Sequence, residues 1–403
     1  MTPARLLLRL VPDLLLVLAM TVLLSALSLP GFFALLGSVL LFAPLRLASG
    51  RAAFALVCLS LLIGIAGFEI GLRLTKSNPA YYRPDEVLSR FATAGGRSHY
   101  EPGRRLDFDM PHGDLFALSD RTAPEIVEPR KVVFITDALG YRNTSGPGAQ
   151  DYVLIGDSFA AGSGTSQERI LGETLRRDHG IDVYSAAFPG DPVNYAQTLD
   201  WLKAHTGLVR GRNVVALVFE GNDLTCAAPA PPPPQRSIAE WRWRPVTRLE
   251  TYRLFYGLTR AALGAGDRSQ SVVVHPVGGR AMGFLRFYVD ATTQAEPCDW
   301  SAQAAALQAM APHLRLIAFA PTKYRVYADK IAPAAALPNI RWAFIDATAR
   351  TIGVPALDLT PFLQARAAQL LPQGKYVYWR DDSHWNGEGM DVAAEAIAAA
   401  LKR

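Results

Sequence analysis

The chain is short of cysteine and of charge. Three of its 403 residues are Cys, and they form no Cys-x-x-Cys pair and no Cys/His cluster. That spacing speaks against a structural zinc site. Cys58 lies in an apolar run; Cys226 and Cys298 are either two free thiols or, in an oxidising compartment, a bonded pair. Charged residues make up 19% of the chain, below the roughly 25% of ordinary soluble domains, so part of the chain is expected in lipid. The net charge is a modest +5, and Lys and Arg are scattered without a dense basic run. Nucleic acid is therefore excluded as an expected partner. Internal repeats are absent as well, which excludes solenoids and propellers.

Apolar residues are plentiful, at 50% of the chain. Leu14 to Leu29 is almost wholly apolar, Pro30-Gly31 interrupts it, and Phe32 to Leu45 resumes it. After a polar break from Arg46 to Arg51, Ala52 to Leu72 is a third run, broken only by Glu69. About 20 apolar residues cross a hydrocarbon core. The third run reaches that length, and the first does if it extends back through Leu6. Residues 1–76 are thus expected to be a transmembrane anchor of two or three spans, meeting the bilayer through residues 6–74. With three spans, placing Arg5 and Arg9, and Arg46 and Arg51, in the cytoplasm puts everything after Leu74 on the outer side. The expected location is an inner membrane with the rest of the chain facing the periplasm. A cleaved signal peptide ending near Ala26-Leu27-Ser28 is the rival reading.

Residues 77–150 are rich in Pro, Gly and charge and read as a lead-in with short strands such as Val132–Ile135. From Tyr152 the pattern changes. Short apolar runs (Tyr152–Ile155, Val183–Ser185, Val214–Phe219, Leu314–Phe319, Ala356–Leu359) alternate with helical stretches around Arg169–Arg177, Tyr195–Lys203 and Gly389–Leu401. Such alternation predicts a parallel sheet with helices on both faces over residues 151–403. An insertion at about 226–302 interrupts it. This opens with the proline run Pro229–Pro234 and continues with a basic, aromatic stretch from Trp241 to about Leu263, read as a cap, a surface helix on lipid or an ordinary covering helix.

The chemistry concentrates in four places. Gly156-Asp157-Ser158 ends a predicted strand, where active sites of parallel sheets sit. Gly190 follows the second strand of this series, Asn222 follows the third, and Asp381-Asp382-Ser383-His384-Trp385-Asn386 precedes the last helix. A serine hydroxyl needs an imidazole to take its proton and a carboxylate to orient that imidazole. Ser158 as nucleophile, His384 as base and Asp382, with Asp381 as the alternative, satisfy this requirement. The N–H groups of Ser158 and Gly190 and the amide of Asn222 would form the oxyanion hole. No cofactor and no metal is expected.

These residues resemble the SGNH (GDSL-type) hydrolase family, whose four named positions Ser158, Gly190, Asn222 and His384 match in order. The likeness covers roughly Asp151 to the C-terminus, apart from the insertion. Phe68-Glu69-Ile70-Gly71-Leu72-Arg73, Asp137 to Asn143, and Pro321-Thr322-Lys323 with Val326-Tyr327 are similar to segments of its membrane-bound members. Asp382-Ser383-His384-Trp385 is locally similar to an element of the alginate O-acetyltransferases, which order their motifs differently. The resemblance implies a flavodoxin-like three-layer α/β/α fold and metal-free chemistry through an acyl-serine. Three functions follow from it. The first is an esterase removing acyl, chiefly acetyl, groups from a cell-envelope glycan or lipid-linked sugar. The second is an O-acyltransferase with the same triad, served by a membrane acyl donor. The third is a silent binding protein. Trp201, Trp241, Trp243, Trp379 and Trp385 are candidates for stacking on sugar, with core packing the alternative.

Overall fold

The computed structural model describes residues 63–64, 66–74, 97–119, 122–226, 251, 254, 271–332 and 336–403. The described residues from 97 onward, apart from 251 and 254, form one compact unit, and residues 63–74 with 251 and 254 belong to another.

In the larger unit the lead-in supplies β1 (Arg105–Met110), a short helix α1 (Asp114–Leu118) and β2 (Arg130–Ile135), with β1 and β2 antiparallel. Then come β3 (Tyr152–Gly156), α2 (Ser158–Ala161), α3 (Leu171–His179), β4 (Val183–Ser185), α4 (Pro192–His205) and β5 (Val214–Phe219). The later part of the insertion folds as an antiparallel hairpin, β6 (Val272–Val277) and β7 (Arg280–Leu285), followed by α5 (Arg286–Thr293). The chain ends with α6 (Ser301–Met310), β8 (Leu314–Ala320), α7 (Lys323–Ile331), α8 (Ile340–Thr351), β9 (Ala356–Asp358), α9 (Thr360–Leu370) and α10 (Gly387–Leu401).

Five strands form one parallel sheet in the order β4-β3-β5-β8-β9. This is the flavodoxin-like order, with the chain reversing direction across the sheet beside the first strand. The central strand Val-Val-Ala-Leu-Val-Phe is buried at every position, as expected where helices cover both faces. Alternate residues serve opposite cores: Val215, Leu217 and Phe219 pack with Leu175, Leu363 and Ile397, while Val214, Ala216 and Val218 pack with Leu199, Leu307 and Ile345. That period of two is what makes the structure three-layered. The predicted strands and the parallel three-layer core are present. The hairpin β6–β7 and α5 lie within what the sequence read only as an insertion.

Helix starts follow local chemistry. The Asp191 carboxylate accepts from the N–H of Val193 and Asn194, Asn194 Oδ1 accepts in turn from Asp191 N, and Pro192 opens the first turn. This capping box starts α4 three residues ahead of the periodic stretch that began at Tyr195. Asn386 caps α10 through Gly389 N at 3.2 Å.

The expected membrane anchor requires correction. Among the described residues no helix is long and apolar enough to cross a membrane. Of the third apolar run the described residues, 63–64 and 66–72, are helical, and the helix continues to residue 74. Glu69 in that helix is committed to polar partners: Arg73 Nε at 2.6 Å, and the N–H and hydroxyl of Thr251, each at 2.8 Å. The bilayer contact through residues 6–74, the membrane-bound type, the membrane acyl-donor partner, the inner-membrane location and the periplasmic orientation all followed from the anchor and fall with it. The first two apolar runs, the arginine pairs, the signal-peptide site, the proline run and nearly all of the stretch from Trp241 to Leu263 lie outside the described residues.

Candidate active site

Ser158 is the first residue of α2, directly after β3. Gly156 lets this turn form: a Cβ there would lie 2.7 Å from Ala160 Cβ and 2.9 Å from Leu217 O. Asp157 caps the helix, accepting from Phe159 N at 2.8 Å. The N–H of Ser158, in the first turn, has no intrahelical acceptor. Asp157 is fully buried, and burial pushes its carboxyl up to about 6, with His384 and the Phe159 N–H pulling the other way.

The strand order explains which residues flank Ser158. β4 and β5 are the two neighbours of β3, so the loops after them straddle Ser158. Beyond β4 the ladder continues with Phe188 N bonded to Gly156 O at 3.0 Å, and Gly190 follows two residues on. Beyond β5 the chain turns through Gly221-Asn222-Asp223. There Asp223 accepts from Phe219 N at 2.8 Å and from Tyr195 Oη at 2.6 Å. Burial, reinforced by Asp157, holds the Asp223 carboxyl well above the usual carboxylate range.

His384 arrives from the far end of the chain. Its turn is held by a bridge between Tyr378 and Trp385, with Trp385 fully buried. Nε2 of His384 lies 2.7 Å from Ser158 Oγ, and Nδ1 lies 2.8 Å from Asp382 Oδ1. The three side chains thus form one hydrogen-bonded series. Asp381 points elsewhere. Its Oδ2 accepts from Gly113 N at 2.7 Å and Glu128 N at 2.9 Å, and its Oδ1 from Arg130 at 3.0 Å. Of the two candidate carboxylates, the one bonded to the imidazole is Asp382; Asp381 ties the turn to the lead-in.

The lead-in is part of this site, which the sequence did not signal. Arg130, at the start of β2, bridges Asp381 and, at 2.8 Å, Asp382 Oδ2, while its Nε donates to Gly164 O at 2.9 Å. Gly164 has φ of +73°, and a Cβ there would sit 2.9 Å from Asp382 Oδ2, so glycine is required on both counts. Asp114 accepts from Ser383 N at 2.7 Å and from the Ser383 hydroxyl, and its Oδ2 lies 3.7 Å from His384 Nδ1. A second carboxylate therefore faces the imidazole. The ligand atoms of Asp114, Asp382 and His384 lie within 4.8 Å of one another. Arg130 and Ser383 already bond these carboxylates, and the Arg130 guanidinium supplies a positive charge beside them.

Two motifs quoted for their resemblance acquire structural jobs. Lys323 Nζ donates to the carbonyls of Trp379, Arg380 and Asp382, and burial lowers its pKa to about 7. Arg142 bonds the carbonyls of Ala161, Gly162 and Thr165 behind Ser158, and Asn143 bonds Ser185 of β4 through both ends of its amide. Both motifs brace the turns that present Ser158 and His384. Of the tryptophans, Trp385 belongs to the core, the Trp379 ring carries Arg130 at 4.3 Å, and Trp201 stacks on His205 with Arg97 over its ring. Trp241 and Trp243 lie outside the described residues. Cys226 and Cys298 are bonded, with Cα atoms 5.3 Å apart, and close the insertion at its base.

One comparison, with a protein-family model, points the same way. Residues 294–403 match the family described as SGNH hydrolase-like domain, acetyltransferase AlgX. No curated protein matches. Among solved structures, one of a G-D-S-L family protein described as lipolytic, from Desulfitobacterium hafniense DCB-2, is 15% identical. It has a TM-score of 0.30 over 62% of this chain and 98% of its own. A carbohydrate acetylesterase family member from Sinorhizobium meliloti is also 15% identical, with a TM-score of 0.28 over 63% and 100%. Structural likenesses at that level carry no argument. The hydrogen-bonded Ser, His and Asp, with a family match over the segment that supplies two of them, make the chain a serine ester hydrolase or acyltransferase of the SGNH (GDSL) type.

Proposed function

We propose that this SGNH-type enzyme removes ester-linked acyl groups, chiefly acetyl, from a sugar or glycan through an acyl-serine intermediate. The observation that carries the reading is the unbroken series from Ser158 Oγ through His384 to Asp382, at 2.7 and 2.8 Å. In this reading His384 Nε2 takes the Ser158 proton as Oγ bonds to the ester carbonyl carbon. Asp382 holds the proton on Nδ1 and stabilises the imidazolium that forms. The oxyanion is received by the N–H groups of Ser158 and Gly190 and by the Asn222 amide. His384 then returns the proton to the departing sugar oxygen. Water, activated by the same imidazole, releases the acid and regenerates Ser158.

A second reading, transfer of the acyl group to a sugar hydroxyl instead of water, is favoured by one observation: the family matched over residues 294–403 is described as an acetyltransferase. The test offers the protein acetylated glycans and p-nitrophenyl acetate, with and without an acceptor sugar. Free acetate supports the first reading, and an acylated acceptor the second. Ser158→Ala should abolish both turnover and labelling by a fluorophosphonate. Labelling that persists in that variant would place the nucleophile elsewhere.

A further inference from the structure

We infer that Tyr288, from the insertion, is a positioning residue that sets the orientation of the Asn222 amide. The inference rests on the proposed role of Asn222 as an oxyanion donor. Tyr288 Oη donates to Asn222 Oδ1 at 3.3 Å. An asparagine amide has one accepting end and one donating end, and only Nδ2 can donate to an oxyanion. A phenol that engages Oδ1 turns Nδ2 the other way. Without it the amide can rotate by half a turn and present its carbonyl oxygen to the developing negative charge.

The ring is fixed so that the hydroxyl cannot drift. It packs edge-on against Phe219 of β5, with centroids 5.1 Å apart and planes at 84°. The turn beneath leaves no slack: a Cβ at Gly221 would lie 2.3 Å from Phe219 Cε1 and 2.7 Å from Tyr288 Cδ1. Side-chain-free backbone at Gly221 is thus what lets α5 approach the Asn222 turn. Arg341 secures the other end of α5, donating from NH1 to Ala291 O and, at 2.8 Å, from NH2 to Gln294 Oε1. The described part of the insertion therefore reaches the chemistry through the Tyr288 hydroxyl.

The test is a double-mutant cycle on Tyr288→Phe and Asn222→Ala, in which the first change keeps the ring and removes only the hydroxyl. The readouts are kcat and KM on p-nitrophenyl acetate and the rate of fluorophosphonate labelling at Ser158. Tyr288→Phe should lower kcat and the labelling rate about tenfold with KM essentially unchanged. In the Asn222→Ala background the same change should cost nothing further, because the amide it orients is absent. Equal losses in both backgrounds, a loss confined to KM, or an undiminished rate would overturn the inference. A wild-type protein that neither turns over nor labels would overturn the proposed function, and this inference with it.

Discussion

Neutralising Asp382 and neutralising Asp381 should have different consequences, and the hydrogen bonds say why. Both oxygens of Asp382 have demanding partners: His384 Nδ1 at 2.8 Å and His384 N at 3.2 Å on Oδ1, and the Arg130 guanidinium at 2.8 Å on Oδ2. Asparagine in its place can satisfy one. Arg130 is a donor in every protonation state, so facing it with an amide NH2 sets donor against donor. Imidazole, by contrast, can change tautomer. In Asp382→Asn the new amide therefore turns its oxygen to the charged Arg130, giving up the longer bond from His384 N at 3.2 Å, and its NH2 to Nδ1, driving the ring proton onto Nε2. That is the atom that must be free to accept from Ser158. The loss should approach the ~10⁴-fold seen when a serine-protease aspartate is made Asn, or about 5 kcal/mol of transition-state stabilisation. Asp381→Asn acts differently. Its amide oxygen can keep the N–H of Gly113 and Glu128, but its NH2 meets Arg130, a cost of about 1–3 kcal/mol in folding. The assays are kcat/KM with p-nitrophenyl acetate and a urea titration on both variants. Asp382→Asn that folds and turns over within about tenfold of wild type would refute this reasoning. So would a severe loss of turnover confined to a well-folded Asp381→Asn.

Three further outcomes are expected. Asp114→Asn should lower kcat about tenfold, because it removes a carboxylate 3.7 Å from the imidazole that becomes charged; an unchanged kcat would show that Asp114 serves Ser383 alone. Replacing both Cys226 and Cys298 by Ser should lower the urea midpoint, since the bond spans 72 residues and loop closure of that size is worth up to about 4 kcal/mol in the chain-entropy treatment; an unmoved midpoint would contradict this. Lys323 links stability to pH. Its folded value of about 7 lies below its ordinary 10.5, so between these limits the unfolded chain binds a proton that the folded chain releases, and stability should rise with pH from about 7 upward. Lys323→Met should remove that part of the slope in urea titrations from about pH 6 to 9, and an identical slope in both proteins would refute it.

Much of the sheet was legible in the sequence. Val214–Phe219 is apolar at every position because both its faces are covered, and Val183–Ser185 and Tyr152–Gly156 are short apolar runs bounded by turn residues. Runs of that kind declare a buried parallel strand without help from elsewhere. The residue types of the site were legible for a related reason. Gly156-Asp157-Ser158, Gly190, Asn222 and His384 each stand at the end of a strand or the start of a helix, and the strand order places the first three on adjacent loops. The anchor was read from hydropathy, which counts apolar residues and does not see how long a helix they form; no transmembrane-length helix is present among the described residues.

What only the tertiary structure decided is the acid side of the site. Asp381 and Asp382 are adjacent and chemically identical, so local pattern cannot rank them on physical grounds. Their roles are set by Gly113, Glu128 and Arg130, some 250 residues earlier, which claim one carboxylate and leave an oxygen of the other for His384. Asp114 and Tyr288 were invisible for the same reason: each reaches the site across a long loop of chain, and no periodicity or motif in their own neighbourhoods records the contact. Sequence determined which side chains could do ester chemistry here, because strand ends and caps are written in short-range pattern. Which carboxylate meets the imidazole, and which way an amide faces, depends on partners that only folding brings into hydrogen-bonding or ion-pairing reach.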